Sequence, residues 1–203
     1  MRHKDISTIF ALDMKTLLQL LKDFDGTKAT SVDDLTGQFK EIATRVLFGG
    51  HFEINDMTEI FPTDIEFYYF NENPNAPVEL NDSRMYHKGK NLDYFPIFSF
   101  YPNESGVDVT FEHEDKKFRA SFLIRSYRYK YCNPDTEGPV TNPRYLWEDM
   151  FGYHSIGENG ISIKWVDESD FNADDLSPIK RHHLNTEKGN QIVPDEKLWR
   201  FKR

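Results

Sequence analysis

The sequence predicts an α+β fold: helices at the N-terminus, then a curved and mainly antiparallel sheet. Two helical patterns come first, at residues 13–24 and 31–48, and from residue 51 the pattern changes to alternating or unbroken apolar runs. No internal repeat or interdomain linker divides the 203 residues, so a single domain spanning 1–203 is expected.

The first helix is predicted over Asp13 to Phe24, where Met14, Leu17, Leu18 and Leu21 recur at helical spacing before Gly26. The second begins after Ser31, a favourable N-cap. Asp33 and Asp34 lie in its first turn, where the helix dipole favours carboxylates. Leu35, Phe39, Ile42, Ala43, Val46 and Leu47 form its apolar stripe, and Gly49-Gly50 ends it. Strands are predicted at His51–Asn55, Asp64–Phe70, Tyr94–Tyr101, Gly106–Glu112, Lys117–Tyr129 and Gly160–Val166. Along Gly106–Glu112 the residues Val107, Val109 and Phe111 fall on one face and Asp108, Thr110 and Glu112 on the other. Asn71–Asn81 reads as a loop, Pro143–Phe151 as a short helix and Asp167–Asp175, with five acids and no base, as a solvated loop. The polar tail from Ser177 ends in Leu198-Trp199-Arg200-Phe201, whose aromatics are expected to dock on the body.

Composition narrows the function classes. Seventeen Phe, ten Tyr and three Trp predict a core of wide rings, with material for a ring-lined cleft. The single Cys132 cannot form an internal disulfide, which favours a reducing, cytoplasmic compartment. The opening residues carry no signal-peptide pattern, and no apolar run approaches the ~20 residues of a membrane span. A soluble monomer with no membrane partner is expected. A net charge of −9 argues against avid nucleic-acid binding. The charge is segregated, however. Lys116 to Lys130 holds six bases and no acid, and Pro178 to Arg203 carries a net +4, which together suit a local anion-binding face.

No phosphate loop, dinucleotide fingerprint, zinc-protease motif or nucleophile elbow is present. The seven histidines are scattered, and His182-His183 on an extended chain would point apart, so no metal and no cofactor is expected. Glu66 lies inside IEFYYF, sharing a strand face with Asp64, Tyr68 and Phe70, while Ile65, Phe67 and Tyr69 share the other. It either faces solvent or is desolvated among rings, where a carboxylate gains basicity and can act as a general base. Arg125, in the apolar stretch FLIRSYR, needs an acidic partner, and Glu66 and Asp108 are the candidates.

Read in order, these segments resemble the alkyladenine (3-methyladenine) DNA glycosylase family. FKEIATRVLFGG is similar to its early helix, through Glu41, Ala43, Val46, Leu47 and Gly49. IEFYY resembles the strand carrying its Glu-x-Tyr, RMYHKG the segment leading to its central hairpin, FLIRSYR its apolar strand ending in arginine, and EGP its late turn. The likeness covers about residues 39–150 and rests on the common order of short motifs. It implies a partly open barrel and hydrolysis of the N-glycosidic bond of a damaged purine flipped from DNA. In that scheme Glu66 activates water, and Arg125 positions Glu66 and holds its charge. Tyr68 with Tyr86 or His87 stacks on the base, while Asp108 or Glu112 meets its edge. DNA or a purine would be the partner. Two other readings stay open: a non-catalytic binding protein that holds a nucleobase-like or other flat ligand, and an interaction module that uses the acidic surface.

Overall fold

A computed structural model describes residues 15–82, 84–85, 93–131, 139–152, 160–168, 171, 175–181, 185–188, 191–194 and 196–203. Helix α1 (Leu17–Asp23) opens on a reciprocal cap, in which the Thr16 side chain accepts from the Gln19 amide and the Gln19 side chain accepts from the Thr16 amide at 2.9 Å. Residues 13 and 14, expected in this helix, lie outside the described residues. Helix α2 (Val32–Phe48) starts where predicted, with Ser31 Oγ accepting from the Asp34 amide at 3.1 Å. Its apolar stripe, from Leu35 through Phe39 to Leu47, is buried against the sheet.

The strands are β1 (Gly50–Ile54), β2 (Thr58–Asn71), β3 (Ser99–Asn103), β4 (Gly106–Thr110), β5 (Phe118–Tyr131), β6 (Ile163–Asp167), β7 (Asn185–Lys188), β8 (Gln191–Pro194) and β9 (Arg200–Lys202). The main sheet runs β3-β4-β5-β2-β1-β6, and β9 also pairs with β2. Every pairing is antiparallel, and the sheet curls into a half-barrel. The α+β expectation therefore holds. Strands β2 and β5 pair over their full length, with register irregularities between Pro62 and Ile65. Pro62 is tolerated there because β1 releases that edge of β2 at Ile60 and β9 takes it up at Asp64.

Several boundaries differ from expectation. Only the end of Tyr94–Tyr101 is strand: Pro96 supplies no amide donor, and Phe98 adopts a φ of 65°. The predicted helix at 143–151 is a three-residue turn, α3 (Tyr145–Trp147), that continues as a π-type turn through Gly152. Asp167 is not part of a solvated loop. It closes β6 and accepts from the Leu17 amide at 3.1 Å and Trp165 Nε1 at 3.0 Å, while Arg45 pairs with it at 3.2 Å. The polar tail contributes the β7–β8 hairpin and then β9, which docks Trp199 and Phe201 in the core as expected.

The core lies between the helices and one face of the sheet. Phe67 stacks on Phe39 at 4.4 Å, Phe24 meets Phe111 edge-on at 5.0 Å, and Trp199 and Phe201 close the cluster. Twelve aromatic side chains are buried in this cluster. Among the described residues, no helix is long and apolar enough to cross a membrane.

Candidate functional site

The opposite face of the same strands is polar and equally buried. Alternation along β2 puts Ile65, Phe67 and Tyr69 into the core and turns Glu66 and Tyr68 away from it. Glu66 on β2 and Asp108 on β4 both stand opposite Leu123 of β5, so the two carboxylates flank one leucine across three strands. Glu66 is fully buried and accepts from the Tyr68 hydroxyl at 2.6 Å. Asp108 accepts from Ser121 Oγ at 3.1 Å and from Asn103 Nδ2. Burial pushes the Asp108 carboxyl up to about 7; the bonds from Ser121 and Asn103 pull the other way, and the charge of Glu66 adds to the rise. The Tyr68 hydroxyl is held well above its ordinary value, first by burial and then by the charges of Glu66 and Asp108. It is a constant donor to Glu66.

Three guanidinium groups serve this face, and two of them come from the C-terminal tail. Arg181 lies over the rings of Tyr68 at 5.1 Å and Trp199 at 5.4 Å, pairs with the buried Asp82 and donates to the Phe67 carbonyl at 3.2 Å. Arg200 stands opposite Glu66 in the β9–β2 register and grips Asp64 through Nε at 2.9 Å and Nη2 at 2.5 Å. The Asp64 bond holds the Arg200 pKa up, and the Glu66 charge contributes to the same shift. Arg119 anchors a second network, donating to Glu72 at 2.5 Å and Glu112 at 3.2 Å with Tyr94 beneath it at 4.2 Å.

Of the residues singled out in the sequence, the structure brings together Glu66, Tyr68 and Asp108. Glu112 belongs to the Arg119 network instead. Arg125 is half-buried at the irregularity of β5, between Ile124, paired with Ile65, and Ser126, paired with Asp64. Among the described residues it makes no hydrogen bond or ion pair to Glu66 or Asp108. Tyr86, His87 and the His182-His183 pair lie outside the described residues. Sequence reasoning missed Arg181, Arg200, Ser121 and Asn103. The one available signal was the ending Leu198-Trp199-Arg200-Phe201, in which two docked aromatics force Arg200 to the opposite face.

Asn103 connects the buried acids to the surface. It lines a groove of about 650 Å³ together with Pro102, Glu104, Gly106, Arg144 and Trp147. The groove forms where the β3–β4 turn meets α3. Gly106 is needed at its floor: a φ of 138° and Pro143 O at 2.8 Å from a built Cβ leave no room for a side chain. Segment 145–152 is anchored by buried Leu146 and Met150 and by the Tyr127 hydroxyl donating to Asp149. Trp147 is left 43% exposed, with Phe151 packed beside its ring at 4.1 Å. No group of three or more His, Cys, Asp or Glu placed to hold a metal ion occurs among the described residues.

Comparison with protein-family models, curated proteins and solved structures finds no match to this chain. The likeness to the alkyladenine glycosylases thus gains no support beyond the short motifs that suggested it.

Proposed function

We propose that this chain is a non-catalytic binding protein for a flat, nucleobase-like ligand. The observation that carries the reading is the groove beside Asn103, because it joins an exposed and buttressed indole to polar side chains along one open surface groove. The buried acids behind it favour a framework role over hydrolysis. A general base must reach the water it activates, yet the Glu66 carboxylate is fully buried and engaged by Tyr68. A tyrosine that stacks on a substrate needs an open face, and Arg181 covers a face of the Tyr68 ring.

The test is a thermal-shift series with adenine, hypoxanthine and adenosine. A ligand at 100 times its Kd adds about 2.7 kcal/mol to apparent stability. A concentration-dependent rise in Tm with any of the three supports binding. Unchanged melting at millimolar ligand removes the reading.

One observation favours a second reading, hydrolysis of purine N-glycosidic bonds with Glu66 as general base. Glu66 and Asp108 are neighbouring acids in unlike surroundings, and Asp108 titrates near neutrality. Incubation with duplex DNA containing hypoxanthine or 3-methyladenine decides it. Release by the wild type and none by Glu66→Gln would establish the hydrolase; no release above background by the wild type excludes it.

A further inference from the structure

We propose that the groove between the β3–β4 turn and α3 takes a nitrogen heterocycle bearing an anionic group, a ligand of the nucleoside monophosphate class. The heterocycle stacks on Trp147, the anion sits on Arg144, and Asn103 with Glu104 reads the ring edge. This deepens the binding reading above and rests on it.

Each assignment follows from an unused valence. The Arg144 guanidinium has no hydrogen bond or ion pair among the described residues, although the chain carries a net charge of −9. The Arg144 side chain is exposed and lines the groove, so its planar donor fork stands at the rim, while its backbone amide donates to Asn142 Oδ1 at 3.2 Å. Such a fork suits a phosphate oxygen pair. Trp147 offers an indole already held by Phe151, so stacking a base on it orders little further.

Asn103 is committed in a defined sense. Its Oδ1 accepts from the Ser105 amide at 2.7 Å, so its nitrogen faces Asp108, and the amide cannot be flipped without losing both bonds. An amide nitrogen carries two N–H donors, and Asp108 takes one of them. The second is available to a ring nitrogen or carbonyl in the groove. Glu104, exposed on the same turn and without a partner among the described residues, supplies the complementary acceptor for a ring N–H or exocyclic amine. A donor and an acceptor side by side next to an aromatic face match the edge of a nucleobase; the separate cation calls for an anion on the same ligand.

The experiment is isothermal titration of the full chain with adenosine 5′-monophosphate, adenosine and inorganic phosphate, using wild type, Trp147→Ala and Arg144→Gln. Both side chains are exposed enough that the variants are expected to keep the wild-type Tm, which is checked first. The monophosphate is expected to bind about tenfold or more tighter than adenosine, with phosphate alone weaker than either. Trp147→Ala is expected to weaken both nucleoside ligands about tenfold or more, and Arg144→Gln to abolish only the monophosphate's advantage. Equal binding of adenosine and its monophosphate, unaffected by Arg144→Gln, overturns the anionic class while the binding reading stands. Nucleoside binding untouched by Trp147→Ala overturns the seat. If none of the three probes binds, the binding reading falls and this proposal with it.

Discussion

The two faces of the β2–β4–β5 sheet are made by alternate residues of the same strands, and both are buried, yet they obey different rules. On the helix side Ile65, Phe67, Tyr69, Phe118, Phe122 and Val109 pack in one apolar cluster, the aromatics ring against ring, and are interchangeable in kind. On the other side Glu66, Tyr68, Asp82, Asp108, Arg119 and Arg181 are held by specific partners. The first face gains stability in proportion to apolar area removed from water. The second is near neutral while every partner is present and costly once one is missing, because a buried charge or donor without a partner carries its full desolvation penalty. A sheet with both faces covered thus divides its labour by residue parity.

The largest effect is expected on the helix side. Phe67 is fully buried, stacked on Phe39 and in edge contact with Phe111 and Phe201. Phe67→Ala should lose about 3–5 kcal/mol in urea unfolding, from lost transfer energy and the cavity left behind. A loss below about 1 kcal/mol would mean that this face is not the main core.

On the polar side, Arg181→Ala should cost about 3 kcal/mol, because it leaves Asp82 buried without its cation. Pairing Arg181→Met with Asp82→Leu should recover most of that loss, since a well-packed apolar pair can replace a buried ion pair. Failure of the double variant to recover would show that the site is fixed by Arg181's contacts to Tyr68 and the Phe67 carbonyl rather than by the ion pair.

What could be read in advance follows the same division. Parity in IEFYYF and GVDVTFE assigned the two faces correctly, since a strand's period of two survives any tertiary context that keeps it extended. Arg125, a charge in an apolar strand, calls for an acid, with Glu66 and Asp108 as the candidates, but it stands at the register irregularity between Pro62 and Ile65, where a bulge breaks strand parity locally. Arg181 and Arg200 reach β2 across 114 and 136 residues, through a tail whose local composition only says polar. Asn103 carries no signal of its own in Pro-Asn-Glu-Ser. Its tie to Asp108 depends on the β3–β4 hairpin being formed.

Asp108 sharpens the comparison through pH. Its carboxyl titrates near 7 in the folded chain and near the ordinary Asp value of about 3.9 once unfolded. Between those values the folded state holds a proton that the unfolded state has released, so stability from this group is complete below pH ~4 and is lost as pH rises to about 7. The expected slope is about 1.4 kcal/mol per pH unit inside that window, or about 2–3 kcal/mol between pH 5 and 7. Asp108→Asn should flatten this part of the profile and be relatively more stable at pH 8. An unchanged slope in the variant would assign the pH dependence to another group.

The smallest effect is expected one residue before Phe67. Glu66→Gln keeps an acceptor for the Tyr68 hydroxyl and removes a negative charge near Asp108, so gain and loss offset, and the change at pH 7 should stay within about 1 kcal/mol. The Asp108 titration should move downward, because the charge of Glu66 helps to hold it up, and the stability-versus-pH curve of Glu66→Gln reports that shift. Adjacent residues on one strand, Glu66 and Phe67, would then differ several-fold in cost while being equally buried. A loss at Glu66→Gln as large as that at Phe67→Ala would erase the distinction between the faces, and would mean that the ionised carboxylate itself organises β2, β4 and β9 around it.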